Sequence, residues 1–429
     1  MTDGAEREAS VRRLRGRLGT RPALWTGFAL VHLALVWLNL AAPGYPLGDV
    51  TAVYRVWADN AAHGWVRMGI DAPWVYPILA FVPMAASLAF GSAFYPQTWL
   101  AIVTVLNAIA FGVLIGRSRL SRPRRLAAWW WLGFLALLGP IALGRIDAIT
   151  VPLAITGLLW AAGRPRVAAV LLTIGAWVKV WPAALVVAVV IAARRRLEVV
   201  TVAGALSVGI LGVSLLAGAG SNAVGFIAEQ AGRGLQIEAP LAVAWLWQIV
   251  AGSNSVQIVY DRRILTFQID GPGADAVAAL TTPIMAVGVL AVVLIGIRAA
   301  RRGAAFGRLL PPLGLSLVVV LMLANKVGSP QFVTWLAAPV ILGLVYRPAR
   351  FALPALVAAA IALCTHIIYP YWYGWLLIAD PAFVVLLTVK SLLLVVLLVW
   401  GIRALWRLGT SRALPSKVDA TGTRMGSDE

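Results

Sequence analysis

Apolar runs of about membrane-spanning length recur along this chain, separated by short breaks rich in arginine, proline or glycine. A hydrocarbon layer of about 30 Å takes roughly 20 apolar residues per helix. The pattern predicts helices near residues 22–42, 97–116, 126–143, 147–162, 199–218, 277–299, 309–325, 332–346, 351–369 and 383–403. Residues 167–193 could form one helix, but Lys179, Val180, Trp181 and Pro182 interrupt the run, so it reads as a hairpin of two short helices. Each arm then reaches only about 18 Å, which sets Lys179 in a polar cavity below the membrane surface. Residues 75–90 are apolar but carry Pro77 and Pro83, and are expected to be re-entrant or interfacial rather than a crossing. The expected fold is all-α, a polytopic membrane protein of about twelve transmembrane helices. Long external loops follow the first and seventh spans, about 43–96 and 218–276.

Composition agrees with a membrane protein: the 429 residues are 61% hydrophobic, and the mean hydropathy is +0.87. The formal charge of +19 would suggest nucleic acid in a soluble protein, but here the arginines sit between spans, as orientation signals do, and nucleic-acid binding is excluded. Arginine-rich breaks at 117–125, 164–166, 194–196, 298–308, 347–350 and 403–412 are assigned to the cytoplasm, and the acidic loops to the outside. Both termini are then cytoplasmic: a basic tail at 1–21, a single transmembrane domain at 22–403, and a tail at 404–429 whose last residues, 411–429, read as disordered. The first apolar run is longer than a signal-peptide core and many spans follow it, so it is kept as a helix. Cys364 is the single cysteine, and His63 and His366 lack the spacing of metal ligands. Neither a metal nor a cofactor is expected.

The candidate chemistry lies in the external loops. Asp49, in Gly44-Tyr45-Pro46-Leu47-Gly48-Asp49-Val50, reads as a general base at the mouth of the bundle or as the cap of a helix starting at Val50. Asp59 and Asp71, later in the same loop, read as solvated or paired. Four cations lie beside span ends, Arg145, Lys179, Arg233 and Lys326, and each suits a phosphate. The alternatives are an ion pair of Arg145 with Asp147, a loop pair of Arg233 with Glu238, and snorkelling of Lys326. Lys179, at a proline-broken junction among apolar residues, is costly unless it faces a polar pathway. Asp147, Glu238 and Gln331 complete the substrate-binding candidates, and Lys390 is expected to snorkel outward from the last span or to touch a lipid phosphate. Trp245, Trp247, Tyr371, Trp372, Tyr373 and Trp375 read first as interfacial aromatics, as do the tryptophans at 129–131 on the cytoplasmic side.

Taken in order, several of these features resemble the GT-C superfamily of membrane glycosyltransferases, and in particular the GT87 polyprenyl-phosphate-mannose-dependent mannosyltransferases of actinobacteria. The resemblance rests on Gly48-Asp49 with Tyr54 following, Tyr76-Pro77, the Lys-x-x-Pro of Lys179 to Pro182, Arg-Gly-Leu-Gln-Ile-Glu at 233–238, and Ser-Pro-Gln at 329–331 leading into Trp335. It implies a multi-pass plasma-membrane enzyme that transfers a sugar with inversion on the outer face, with Asp49 as base. The implied donor is a polyprenyl-phosphate sugar, the acceptor a glycolipid or polysaccharide, and the surroundings membrane lipids. Some relatives carry histidines near the position of Gln331, where this chain has Lys326 and Gln331. A transporter or flippase of a lipid-linked sugar would share the broken helices, but would show two related halves, and no internal repeat is evident. A non-catalytic scaffold would need no charged cleft.

Overall fold

The computed structural model describes residues 19–117 and 120–410. The greater part of the basic tail, 1–18, and the polar tail, 411–429, lie outside these residues. The first helix, α1 (Arg21–Ala41), opens with Pro22 in its first turn and with Thr20 accepting from the Ala23 amide at 3.4 Å. Both devices suit a helix start, where the first amides have no partner inside the helix. At 21 residues it is about 31 Å long. The loop after it holds a π-helical turn (Val50–Tyr54), α2 (Arg55–Ala62), a 3-10 turn (Ile78–Ala80) and α3 (Phe81–Ala86). The run that contains Pro77 and Pro83 is thus two short turns and does not form a spanning helix.

Four helices build the middle of the first half: α4 (Tyr95–Ile115), α5 (Arg122–Leu138), α6 (Asp147–Trp160) and α7 (Pro165–Val178). The expected break follows α7, where Lys179 is extended and Pro182 starts α8 (Pro182–Ala192). The next helix, α9 (Arg196–Leu216), packs on α7 and α8. A loop then carries α10 (Phe226–Ala231), α11 (Val243–Val250) and a β-hairpin of β1 (Gln257–Asp261) and β2 (Thr266–Asp270), antiparallel with Gln257 opposite Asp270. This hairpin departs from an all-α expectation, although the chain is predominantly helical. Residues 235–237 lie along β2, with Ile269 N–H donating to Leu235 at 2.9 Å and Ile237 N–H to Phe267 at 3.2 Å.

The second half comprises α12 (Ala274–Arg301), α13 (Phe306–Leu323), a 3-10 turn (Pro330–Leu336) running into α14 (Ala337–Tyr346), α15 (Pro348–Ile368), α16 (Tyr373–Leu377) and α17 (Pro381–Thr410). Among the described residues eight helices are long and apolar enough to cross a membrane, and further apolar helices of 10 to 17 residues accompany them. The chain is a multi-pass membrane protein. Burial separates centre from rim: 72% of the α13 window is buried against 11% for α9. Apolar surface left uncovered along α9 and α12 suits lipid, whereas α6, α13 and α14 form the packed middle. Two of the tryptophans at 129–131 pack into the bundle. Trp131 is buried against Phe111, and Trp130 donates to the Ala355 carbonyl at 2.9 Å, so these rings join α5 to its neighbours.

Candidate functional site

At one end of the bundle the loop after α1 meets the start of α6. Asn39, near the end of α1, donates to the Leu35 and Pro140 carbonyls at 2.9 and 3.0 Å, which fixes that end against the turn before α6. A Cβ on Gly144 would stand 2.8 Å from the Pro46 carbonyl oxygen, so only glycine lets the two segments approach this closely. The approach delivers Arg145 to Asp49, with Nε 3.0 Å from Oδ2. The same guanidinium donates to the carbonyls of Pro46 and Gly144 and, at 2.6 Å, to the Tyr369 hydroxyl. Burial opposes its charge, but Asp49, Tyr369 and Tyr54 more than offset this, and its pKa lies above the ordinary arginine value.

Asp49 makes no side-chain capping bond, and its backbone is already helical. Its side chain is 40% exposed while that of Arg145 is 8% exposed. The carboxylate is therefore held from behind by a buried cation and open on its other side. Arg145 does not pair with Asp147. Its donors are largely committed to protein acceptors, which leaves it the positioning partner of Asp49 rather than a phosphate ligand.

Asp147, at the start of α6, is fully buried and pairs with Lys179, Nζ to Oδ2 at 3.0 Å. Trp335 Nε1 donates to its other oxygen at 2.6 Å. Thr150 donates to the Asp147 carbonyl and accepts from Trp181 Nε1 at 2.9 Å. The rings of Trp181 and Trp335 stack at 5.4 Å, and Phe332 stacks on Trp335 at 4.2 Å. Lys179 thus stands between a carboxylate and the faces of Tyr76 and Phe332, 5.5 and 5.0 Å from its ammonium. The tyrosine wall continues to Tyr54, whose hydroxyl lies 3.4 Å from that of Tyr76 and accepts from the Ile146 amide.

The remaining candidates come from two loops that hydrogen-bond to each other. Gln236 N–H donates to the Lys326 carbonyl at 2.9 Å, and a Cβ on Gly328 would collide with the Glu238 backbone. Arg233 precedes the bonded segment. Burial lowers its pKa, opposed in part by the nearby carboxylates of Glu229 and Asp49. Lys326 is lowered as well, first by burial and then by Arg233 beside it. Glu238 turns elsewhere. It does not pair with Arg233; burial raises it to about 7, and Lys390 and Tyr373 are its neighbours. Lys390 does not snorkel outward, being 6% exposed within α17. Gln331 is buried at the start of its 3-10 turn, where its carbonyl accepts from Thr334 at 2.7 Å.

Of the two later aspartates in the first loop, Asp71 pairs with Arg67 at 2.8 Å and Asp59 accepts from Ser92. Residue type alone does not mark Tyr369, Tyr76, Trp181 and Trp335 as site residues, although Tyr76, Trp181 and Trp335 stand inside the motifs given above. Their role shows only once the loops converge. Among the described residues no group of three or more His, Cys, Asp or Glu side chains could hold a metal ion. No family model, curated protein or solved structure matches the chain.

Proposed function

We propose that this protein is a membrane glycosyltransferase that moves a sugar from a lipid phosphate to an acceptor hydroxyl, with Asp49 as general base. The observation that carries the reading is the half-open Asp49 carboxylate, anchored by Arg145, beside the tyrosine wall of Tyr54 and Tyr76 on which Lys179 stands. Arg233 and Lys326 stand near enough for each to feel the other's charge, and a pair of cations suits a doubly charged anion. A phosphate is such an anion. In the proposed step the acceptor oxygen attacks the anomeric carbon, and the bond from that carbon to the phosphate oxygen breaks. The electron pair leaves with the phosphate, stabilised by Arg233 and Lys326, and the acceptor proton passes to Asp49. Attack opposite the leaving group inverts the centre.

The proposed topology has about twelve crossings, the eight long helices together with α6, α7, α8 and the 330–346 segment, with both termini and the arginine-rich breaks in the cytoplasm. The site then lies on the outer face, and a polyprenyl-phosphate mannose of the GT87 kind is the donor we favour. The test is reconstitution with candidate polyprenyl-phosphate sugars and a lipid or glycan acceptor, read as product. Movement of the donor lipid across the bilayer without product would instead mark a flippase.

A further inference from the structure

The same helices that present Asp49 at one end enclose a second site at the other. A cavity of about 820 Å³ lies between the first turn of α1, the last turns of α4 and the end of α6. Arg21, Arg117 and Arg164 line it together with Trp25, Trp160 and Ile109. Arg21 opens α1 and Arg164 follows α6, whereas Asp49 follows α1 and Arg145 precedes α6. The two sites are therefore about 31 Å apart along α1, one hydrocarbon thickness. No carboxylate lines the cavity among the described residues.

We propose that this cavity binds the phosphate headgroup of an anionic phospholipid in the leaflet opposite the Asp49 site. The exposed guanidiniums of Arg117 and Arg164 offer paired donors to phosphate oxygens, Arg21 adds its charge beside them, and basic pockets between spanning helices suit such headgroups. Arg164 is held over the Trp160 ring at 5.6 Å, which orients it without using its donors. The cavity is amphipathic in the right sense. Ile109 lies two turns back from Arg117 along α4, and both it and Trp25 are exposed on the flank, 55% and 38%. An acyl chain leaving the arginines would run along these two side chains, and Trp25 is braced edge-on by Phe28 and Phe111. A tail-bearing phosphate satisfies both ends of the cavity; a free phosphate satisfies one.

The test uses the purified full chain, stripped of lipid and titrated in micelles with phosphatidylglycerol, phosphatidylcholine or glycerol 3-phosphate, with native mass spectrometry and melting temperature as readouts. Phosphatidylglycerol is expected to bind and raise the melting temperature, and the other two to do neither. The triple variant Arg21→Gln, Arg117→Gln, Arg164→Gln is expected to bind it about 100-fold more weakly, at about fivefold per charge. Gly112→Leu keeps every charge and fills the cavity, since its Cβ position meets only Trp25 at 3.8 Å, and it is expected to lose binding as well. Wild-type affinity in both variants, or equal binding of glycerol 3-phosphate, overturns the proposal.

Discussion

Replacing Lys179 with methionine separates stability from chemistry at the centre of the bundle. The ammonium is 3.0 Å from Asp147, with the lysine side chain 15% exposed and the aspartate fully buried. Methionine keeps most of the stem's length but loses the ammonium over Tyr76 and Phe332 and strands a carboxylate that retains only the Trp335 donor. Breaking a buried pair from one side costs about 3 to 5 kcal/mol, and the remaining indole bond puts this case near 3. Asp147→Asn in the same chain removes the stranded charge and still accepts from Trp335, so the double variant should recover most of the loss. Denaturant titration of the four proteins in micelles gives the coupling energy directly. A single variant as stable as the parent, or a double variant no better than the single, refutes the buried-pair assignment. Activity follows a different pattern, because the double variant removes a cation facing Tyr76 and should stay impaired when folded.

Arg145→Lys should lower kcat by about tenfold or more with KM little changed, since an ammonium cannot serve Asp49, Tyr369 and two carbonyls together; steady-state kinetics checks this. Glu238, raised to about 7 by burial, keeps its proton in the folded chain where the unfolded chain has already lost it. Stability should therefore be fullest below about pH 4.5 and fall by up to about 3 kcal/mol as the pH rises to about 7; Glu238→Gln should flatten that slope in pH-dependent unfolding. On a Cys364→Ser background, a cysteine at Arg122 should label only from the cytoplasmic side and cysteines at Asp49 or Gln331 only from outside, and the opposite pattern would invert the proposed orientation.

Local chemistry made the helices readable. The break at Lys179 to Pro182 and the failure of residues 75–90 to span follow from proline, which removes an amide donor and clashes with the preceding turn. The hairpin at 257–270 is not legible in the sequence because Gln257–Asp261 and Thr266–Asp270 are short, mixed in polarity, and organised by residues 235–237 beside them. For the site, residue types marked the right loops, but partners were long-range and escaped the pattern. Arg145 has Asp147 two residues away and pairs with Asp49 instead, because the turn before α6 points the two side chains apart and Gly144 admits the other loop. Lys390 reads as a lipid-facing cation until Glu238 is brought onto α17 from a loop some 150 residues earlier.

The central claim is that Asp49 takes the acceptor proton, and Asp49→Asn tests it most directly. The side chain is 40% exposed and makes no capping bond, but asparagine removes the counter-charge of the buried Arg145, which keeps its other acceptors, so a cost of about 1 to 3 kcal/mol is expected. Transfer from a lipid-phosphate sugar, measured beside the melting temperature of the same preparation and at a temperature where the variant is folded, should fall by about 100-fold or more with the melting temperature lowered by only a few degrees. Turnover close to that of the parent would contradict the account and remove Asp49 from the chemistry.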